Sequence, residues 1–337
     1  MPNTLRDVAR LAQVSVKTVS NVVNGHPHVS AGMRRRVEAA VEALDYRPNR
    51  SARTLRTGRT GMLALIVSEA DLPGIGVLAR AVVHAAAGHG YRVVVNAIGS
   101  GPGRPGTANP PLPVDGCLLL ADLPAAPGVG GLPLVRLGRP AAGGHVDRVG
   151  IDHIRAGRDA TAHLLGTGRR RIAAIDAGPG EPSPTPPGIQ GYADALRAAG
   201  LAPLPGHLLR APSHQRADGY RAARTLLARH QRPDAVFCAS DSLAIGTLCA
   251  AFDAGVRVPD DLAVIGVGGS EEGRWARPAL STVSADTGFV ARQAVARLVA
   301  RIAAPDAAPV DVVAPHTLLP RASTRRADRP GAVRASC

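Results

Sequence analysis

Aromatic residues make up only 2% of this 337-residue chain, so aliphatic side chains must carry the packing that rings usually share. Lysine is scarcer still. Lys17 is the single one among 40 basic residues, and a general drift toward arginine contributes to the net charge of +14. A local concentration of charge is therefore better evidence for a polyanionic partner than the total. No hydrophobic run approaches the ~20 residues that a membrane-spanning helix needs. Cys117, Cys238, Cys249 and Cys337 lack metal-ligand spacing, and the first three sit in apolar segments, which suits buried thiols in a reducing compartment. Neither H-E-x-x-H nor G-x-S-x-G occurs, which removes those hydrolase constellations. No metal and no cofactor is expected.

What is present is concentrated at the start. In TLRDVARLAQVSVKTVSNVVN, residues 4–24, Thr4 can cap a helix with Asp7 three positions on, and Leu5, Val8, Ala9 and Ala12 then share a face. Ser15 restarts the chain as a second N-cap, after which Val19, Val22 and Val23 form a buried stripe. Val16, Lys17, Ser20 and Asn21 are left on the opposite face. Two short capped helices around a tight turn are the footprint of a helix-turn-helix, and small hydrogen-bonding groups with one lysine suit a face that reads base edges. A plain helical hairpin is the bland alternative; its outward face would carry a Glu/Lys mixture instead.

Ser30 can cap a third helix bearing Met33, Val37, Ala40, Val41 and Leu44 at helical spacing, and Pro48 closes it. Eleven basic residues against four acids in the first 60 positions give a local charge of +7, a density suited to neutralising phosphates. Residues 47–60, RPNRSARTLRTGRT, have one apolar knob, Leu55, and are too polar to fold alone. They read as a helix that forms only on its partner.

These 60 residues resemble the DNA-binding headpiece and hinge of the lac repressor family of transcriptional regulators. The resemblance implies that the second helix enters the major groove while paired hinge helices occupy the minor groove. It implies Val16, Lys17 and Asn21 as base readers, Thr18, Ser20, Asn24, His28 and Ser30 as phosphate contacts, and Ala52 and Leu55 in the minor groove, Leu55 as the wedge. The partners expected are a double-stranded DNA operator, a second copy of the chain and a small-molecule effector of open identity. With no secretion signal ahead of the helix-turn-helix, a cytoplasmic, nucleoid-associated location is expected.

From residue 62 onward, the runs MLALIV, YRVVV, GCLLL, LPLVRL, RIAAI, AVFCA and LAVIGV alternate with helical patterns near 77–87, 155–165, 190–199, 218–229, 242–254 and 289–302. Such alternation means parallel sheets covered by crossover helices. The fold class expected is an all-α helix-turn-helix headpiece plus an α/β core of two doubly wound parallel-sheet subdomains, similar to periplasmic sugar-binding proteins. Domain limits expected from the resemblance are 1–46 for the headpiece, 47–60 for the hinge and 61–320 for the core. The core divides into 61–152 with 283–312, and 153–282 with 313–320. An Arg-rich tail expected to be disordered, 321–337, follows and carries no Leu heptads for a coiled coil.

The expected effector cleft departs from the family pattern. Gly188 stands where an arginine is usual, Gly268 where an aspartate is usual, and Gly74 and Ile75 where aromatics often follow Pro73. Losing cation, anion and stacking platform together argues against an ordinary sugar effector. Asp71, Asp152, His214, Ser240 and Asp241 remain as candidates facing the cleft, Asp241 with a helix cap as its alternative role. Three Pro- and Gly-rich stretches, 99–113, 121–131 and 176–188, are unsuited to helices. A competing reading, a nicotinamide-dependent oxidoreductase with a basic N-terminal extension, rests on Gly74, Gly76 and Ala79 as G-x-G-x-x-A after a strand. Its context is poor: the next strand ends in Asn96 rather than an acid.

Overall fold

The computed structural model describes residues 3–23, 28–46, 58–69, 72–98, 113–120, 131–139, 146–178 and 185–325. The chain forms two compact units, Met1–Thr60 and Gly61–Cys337. In the first, α1 (Leu5–Ala12), α2 (Val16–Val23) and α3 (Ala31–Ala43) enclose a small core. Eight-residue helices are too short to persist alone, so caps and packing must hold them. The Thr4 backbone N–H and hydroxyl both donate to Asp7 Oδ2, at 2.9 and 2.7 Å. Ser15 accepts from the Thr18 N–H at 3.0 Å and Ser30 from the Met33 N–H at 3.4 Å. Gln13 turns the chain in the left-handed region at φ 52°. Arg36 of α3 donates to the Ala12 carbonyl at 2.6 Å, tying α3 to the open end of α1.

Val8, Val19 and Val37 are fully buried, with Ala9, Ala12, Val22 and Ala40 beside them. The expectation for Met33 fails, since it is 46% exposed. The bulk comes instead from Tyr46, 7% exposed, which the left-handed Asp45 at φ 41° brings back onto the helices.

The second unit contains two six-stranded sheets. Along the chain come β1 (Met62–Ser68), a 3-10 turn (Leu72–Gly74), α4 (Gly76–Gly88), β2 (Arg92–Ile98), β3 (Gly116–Leu120), β4 (Leu134–Leu137) and β5 (Asp147–Ile151). Next are α5 (His153–Gly166), β6 (Ile172–Ala177), α6 (Pro187–Ala198), β7 (Leu208–Ala211), α7 (Arg216–Leu227), β8 (Ala235–Cys238) and α8 (Asp241–Asp253). The last elements are β9 (Ala263–Val267), α9 (Glu271–Trp275), β10 (Ser281–Ala285), α10 (Thr287–Ala303), β11 (Asp311–Ala314) and β12 (His316–Leu319).

The first sheet is ordered β11-β5-β4-β3-β1-β2 and the second β12-β10-β9-β8-β6-β7. All pairings described are parallel except β12 on β10. Central strands such as β1 and β9 are covered on both faces, which is why they read as unbroken apolar runs. Helices α5 and α6, and α7 and α8, cross closely through glycine: a Cβ on Gly246 would lie 2.1 Å from the Arg216 carbonyl oxygen.

The chain passes between the sheets at Asp152, Asp286 and Pro315. Two of these residues also cap the following helix, Asp152 accepting from the Arg155 N–H at 3.0 Å and Asp286 from the Phe289 N–H at 2.8 Å. The second passage lies later than the expected 282/283 limit, because β10 stays paired with β12 through Ala285. The third follows β11, which pairs with β5 through Ala314, so the expected 312/313 limit is also corrected. Nor is 321–325 part of a loose tail. Ser323 and Thr324 are buried, the Ser323 hydroxyl donating to the Val264 carbonyl at 2.6 Å and lying on the Ser281 N–H at 2.8 Å. The hinge at 47–57, the stretches 99–112 and 121–130, residues 179–184 and the tail from 326 lie outside the described residues.

Candidate nucleic-acid interface and ligand cleft

In the first unit, α2 turns Val19 and Val22 into the core and leaves Val16, 43% exposed, and Lys17 facing solvent. Asn21, Thr18 and Ser20 are half-buried along the same helix. The Thr18 hydroxyl is 2.8 Å from that of Ser15, so it belongs to the cap as well as to the surface. His28 and Ser30 are exposed at the entry to α3. No acid occurs on α2, and its N-terminal dipole adds to the field of Lys17, a combination that attracts phosphate. Not all the arginines counted in this region are free for such work: Arg36 is spent on α1, and Arg10 lies 3.5 Å from Asp7. Asn24, Ala52 and Leu55 lie outside the described residues.

In the second unit, strand order reverses at β1 in one sheet and at β6 in the other, the topological switch points at which open α/β sheets bind ligands beyond their carboxyl ends. Asp241 sits there as the first residue of α8, 4% exposed. Its Oδ2 accepts from the Ser270 N–H at 2.6 Å and its Oδ1 from the Thr282 hydroxyl at 2.6 Å. Burial pushes its pKa up, while these donors pull the other way. Asp241 thus ties α8 to the ends of β9 and β10. Ser240 accepts from the Leu243 N–H at 3.3 Å as the cap of the same helix, Asp152 caps α5, and His214 is half-buried in the loop after β7. Asp71 is outside the described residues.

The two glycines at the family's polar positions differ physically. Gly268 lies at φ 144°, a backbone that an aspartate would adopt only under strain. Gly188 is unconstrained by space, since a Cβ there would meet the Phe237 ring at an ordinary 3.7 Å. Charge is supplied elsewhere. Arg139, two residues beyond β4, donates to Asp176 of β6 at 2.8 Å, joining one sheet's strand end to the other's. Sequence reasoning missed this pair, although a lone carboxylate inside the apolar run IAAIDA was a signal that a partner must exist.

Cys117 and Cys238 are buried, which pushes their pKa values to about 11 and about 12. Cys249 is exposed, against expectation, because it falls on the outer face of α8. Among the described residues, no group of three His, Cys, Asp or Glu could hold a metal ion, and no helix is long and apolar enough to cross a membrane.

Residues 4–49 match the family described as bacterial regulatory proteins, lacI family, and residues 161–324 match the periplasmic binding protein-like domain. The HTH-type transcriptional regulator CelR of Thermobifida fusca is 37% identical over 95% of this chain and 98% of its own length. The chain belongs to the lacI family. The ribose operon repressor of Escherichia coli K12 is 31% identical over 90% of this chain and 94% of its own. Among solved structures, the lac repressor dimer bound to operator and the anti-inducer ONPF superimposes with a TM-score of 0.78 at 26% identity, covering 96% of this chain and 99% of that one. A CelR–cellobiose complex gives a TM-score of 0.66 at 34% identity, over 95% and 99% of the two chains. This lacI-family chain is a DNA-binding transcriptional regulator with a periplasmic-binding-protein-like core. As a member of this family of transcriptional regulators it is not an enzyme, which sets the oxidoreductase alternative aside; Gly74 ends a 3-10 turn and Gly76 opens α4.

Proposed function

We propose that this regulator acts as a cytoplasmic, nucleoid-associated repressor, binding a palindromic operator as a homodimer. In this reading Val16, Lys17 and Asn21 read bases in the major groove, while Thr18, Ser20, Asn24, His28 and Ser30 hold phosphates. The hinge places Ala52 and Leu55 in the minor groove. The observation that carries the reading is the acid-free outer face of α2, presented by a core that fixes its opposite side. Apolar side chains left at the surface of the core support a second copy as partner: Val77 and Val83 on α4, Val95 on the edge strand β2, and Trp275 after β9 are 39–64% exposed.

The cleft is the proposed effector site, with Asp71, Asp152, His214, Ser240 and Asp241 as candidates. Asp152, Ser240 and Asp241 shape its floor through their caps and ties. A ligand shifts such a two-state core only through unequal affinity for its open and closed forms. Change in the cleft then alters the spacing of the paired hinges, which fold on DNA in one state and melt in the other. Genome-wide footprinting with the purified protein tests this function: enrichment of a two-fold symmetric site supports it, and protection independent of sequence refutes it. Leu55→Ala tests the hinge, because losing the wedge weakens specific binding far more than the salt-driven background.

A further inference from the structure

We propose that Arg139 and Asp176 form an internal latch, which holds the cleft of this protein shut with no small molecule in it. The inference rests on the cleft reading above and adds a resting state to it. The Asp176 side chain is 0% exposed and that of Arg139 17%, and the 2.8 Å contact joins the carboxyl end of β6 to the residues that follow β4 in the other sheet. By contrast, the pairs Arg301 with Asp147 and Arg158 with Asp194 each stay within one subdomain.

The desolvation of Asp176 gives the pair its leverage. Its Oδ1 takes the guanidinium and the Ala177 N–H, the latter at 2.8 Å, while its Oδ2 is buried with no hydrogen-bond partner among the described residues. A carboxylate sealed in this way is tolerable only while its cation is present, since removing one member of a buried pair leaves an uncompensated charge. Closure without Arg139 would strand that charge, and an open cleft would hydrate it. The guanidinium thus fills from within the part that an effector plays in a cleft closed by ligand.

Amide hydrogen exchange on the full chain tests this without an operator or an effector. In Arg139→Ala, the N–H groups of Gly138, Ala177 and Gly178 should exchange roughly 5- to 150-fold faster, the range of a cross-site coupling. Those of β1 and β8 should keep their rates. Guanidinium chloride at a few millimolar should restore slow exchange in Arg139→Ala by filling the vacated place on Asp176, while equal sodium chloride or urea should not. Asp176→Asn should loosen the same amides with no rescue. Unchanged exchange at the cleft in both variants overturns the latch, as does acceleration that spreads through β1 and β8 and ignores guanidinium. A negative result leaves the DNA-binding reading intact, and sequence-blind footprinting would leave the latch intact.

Discussion

Val19→Ala separates what holds the recognition helix from what reads DNA. Val19 is fully buried in the headpiece core, packed with Val8 and Val37. Removing two carbons costs about 1.6 kcal/mol at ~0.8 kcal/mol each. The cavity left in so small a core raises this to roughly 2–3 kcal/mol. A unit of this size has roughly 3–5 kcal/mol to lose, so about half of the molecules or more stay folded while the unfolding equilibrium constant rises roughly 30- to 140-fold. Cleavage by an arginine-specific protease at Arg6, Arg10 and Arg34 should rise in proportion when opening is fast. Operator affinity should fall by less than about tenfold, because about half of the headpieces or more remain folded. A variant whose headpiece resists the protease as the parent does would refute the assigned core.

Lys17→Ala should do the reverse, leaving protease resistance unchanged while weakening specific binding by about 1–3 kcal/mol, read in titrations on the footprinted site against random DNA. Gly246→Ala should lower the melting temperature, because its Cβ meets the Arg216 carbonyl at 2.1 Å and overpacking of about 1–3 kcal/mol exceeds the ~1 kcal/mol helix gain. Gly188→Ala, with ordinary contacts only, should melt no lower than the parent. Thr282→Val removes a donor to Asp241. Burial already raises that pKa, so the carboxyl's stabilising contribution is complete below the unfolded value of 3.8 and is lost as pH rises through the folded one. The variant raises the folded value further, so its cost in urea melts should grow from pH 4 to pH 8, toward the roughly 1.5–3 kcal/mol of a charge-assisted bond. A penalty independent of pH would refute that role for Thr282.

Local signals were legible in the sequence. Thr4 with Asp7, Ser15 and Ser30 each cap the helix their spacing announced, and the unbroken apolar runs became central strands. β5 (DRVGI) and β7 (LLRA) were not picked out, because charges interrupt their short apolar runs. The burial of Tyr46 depends on a left-handed aspartate that no periodicity marks. The pair Arg139–Asp176 joins residues 37 positions apart on different sheets, and only the packing of one subdomain on the other brings them together. Asp241 was expected to face the cleft or to cap a helix; the cap is Ser240, and the ties of Asp241 to Ser270 and Thr282 belong to tertiary structure, which no local spacing announces.

The burial of Ser323 and Thr324 against β9 and β10 bears on how a newly made molecule becomes controllable. During translation the headpiece helices emerge ahead of the core, whereas the second sheet lacks its closing strand and that final stitch until residues 316–324 have followed. At roughly 5–20 residues per second the interval is on the order of tens of seconds. In that window a nascent chain owns a reading head before it owns a finished switch.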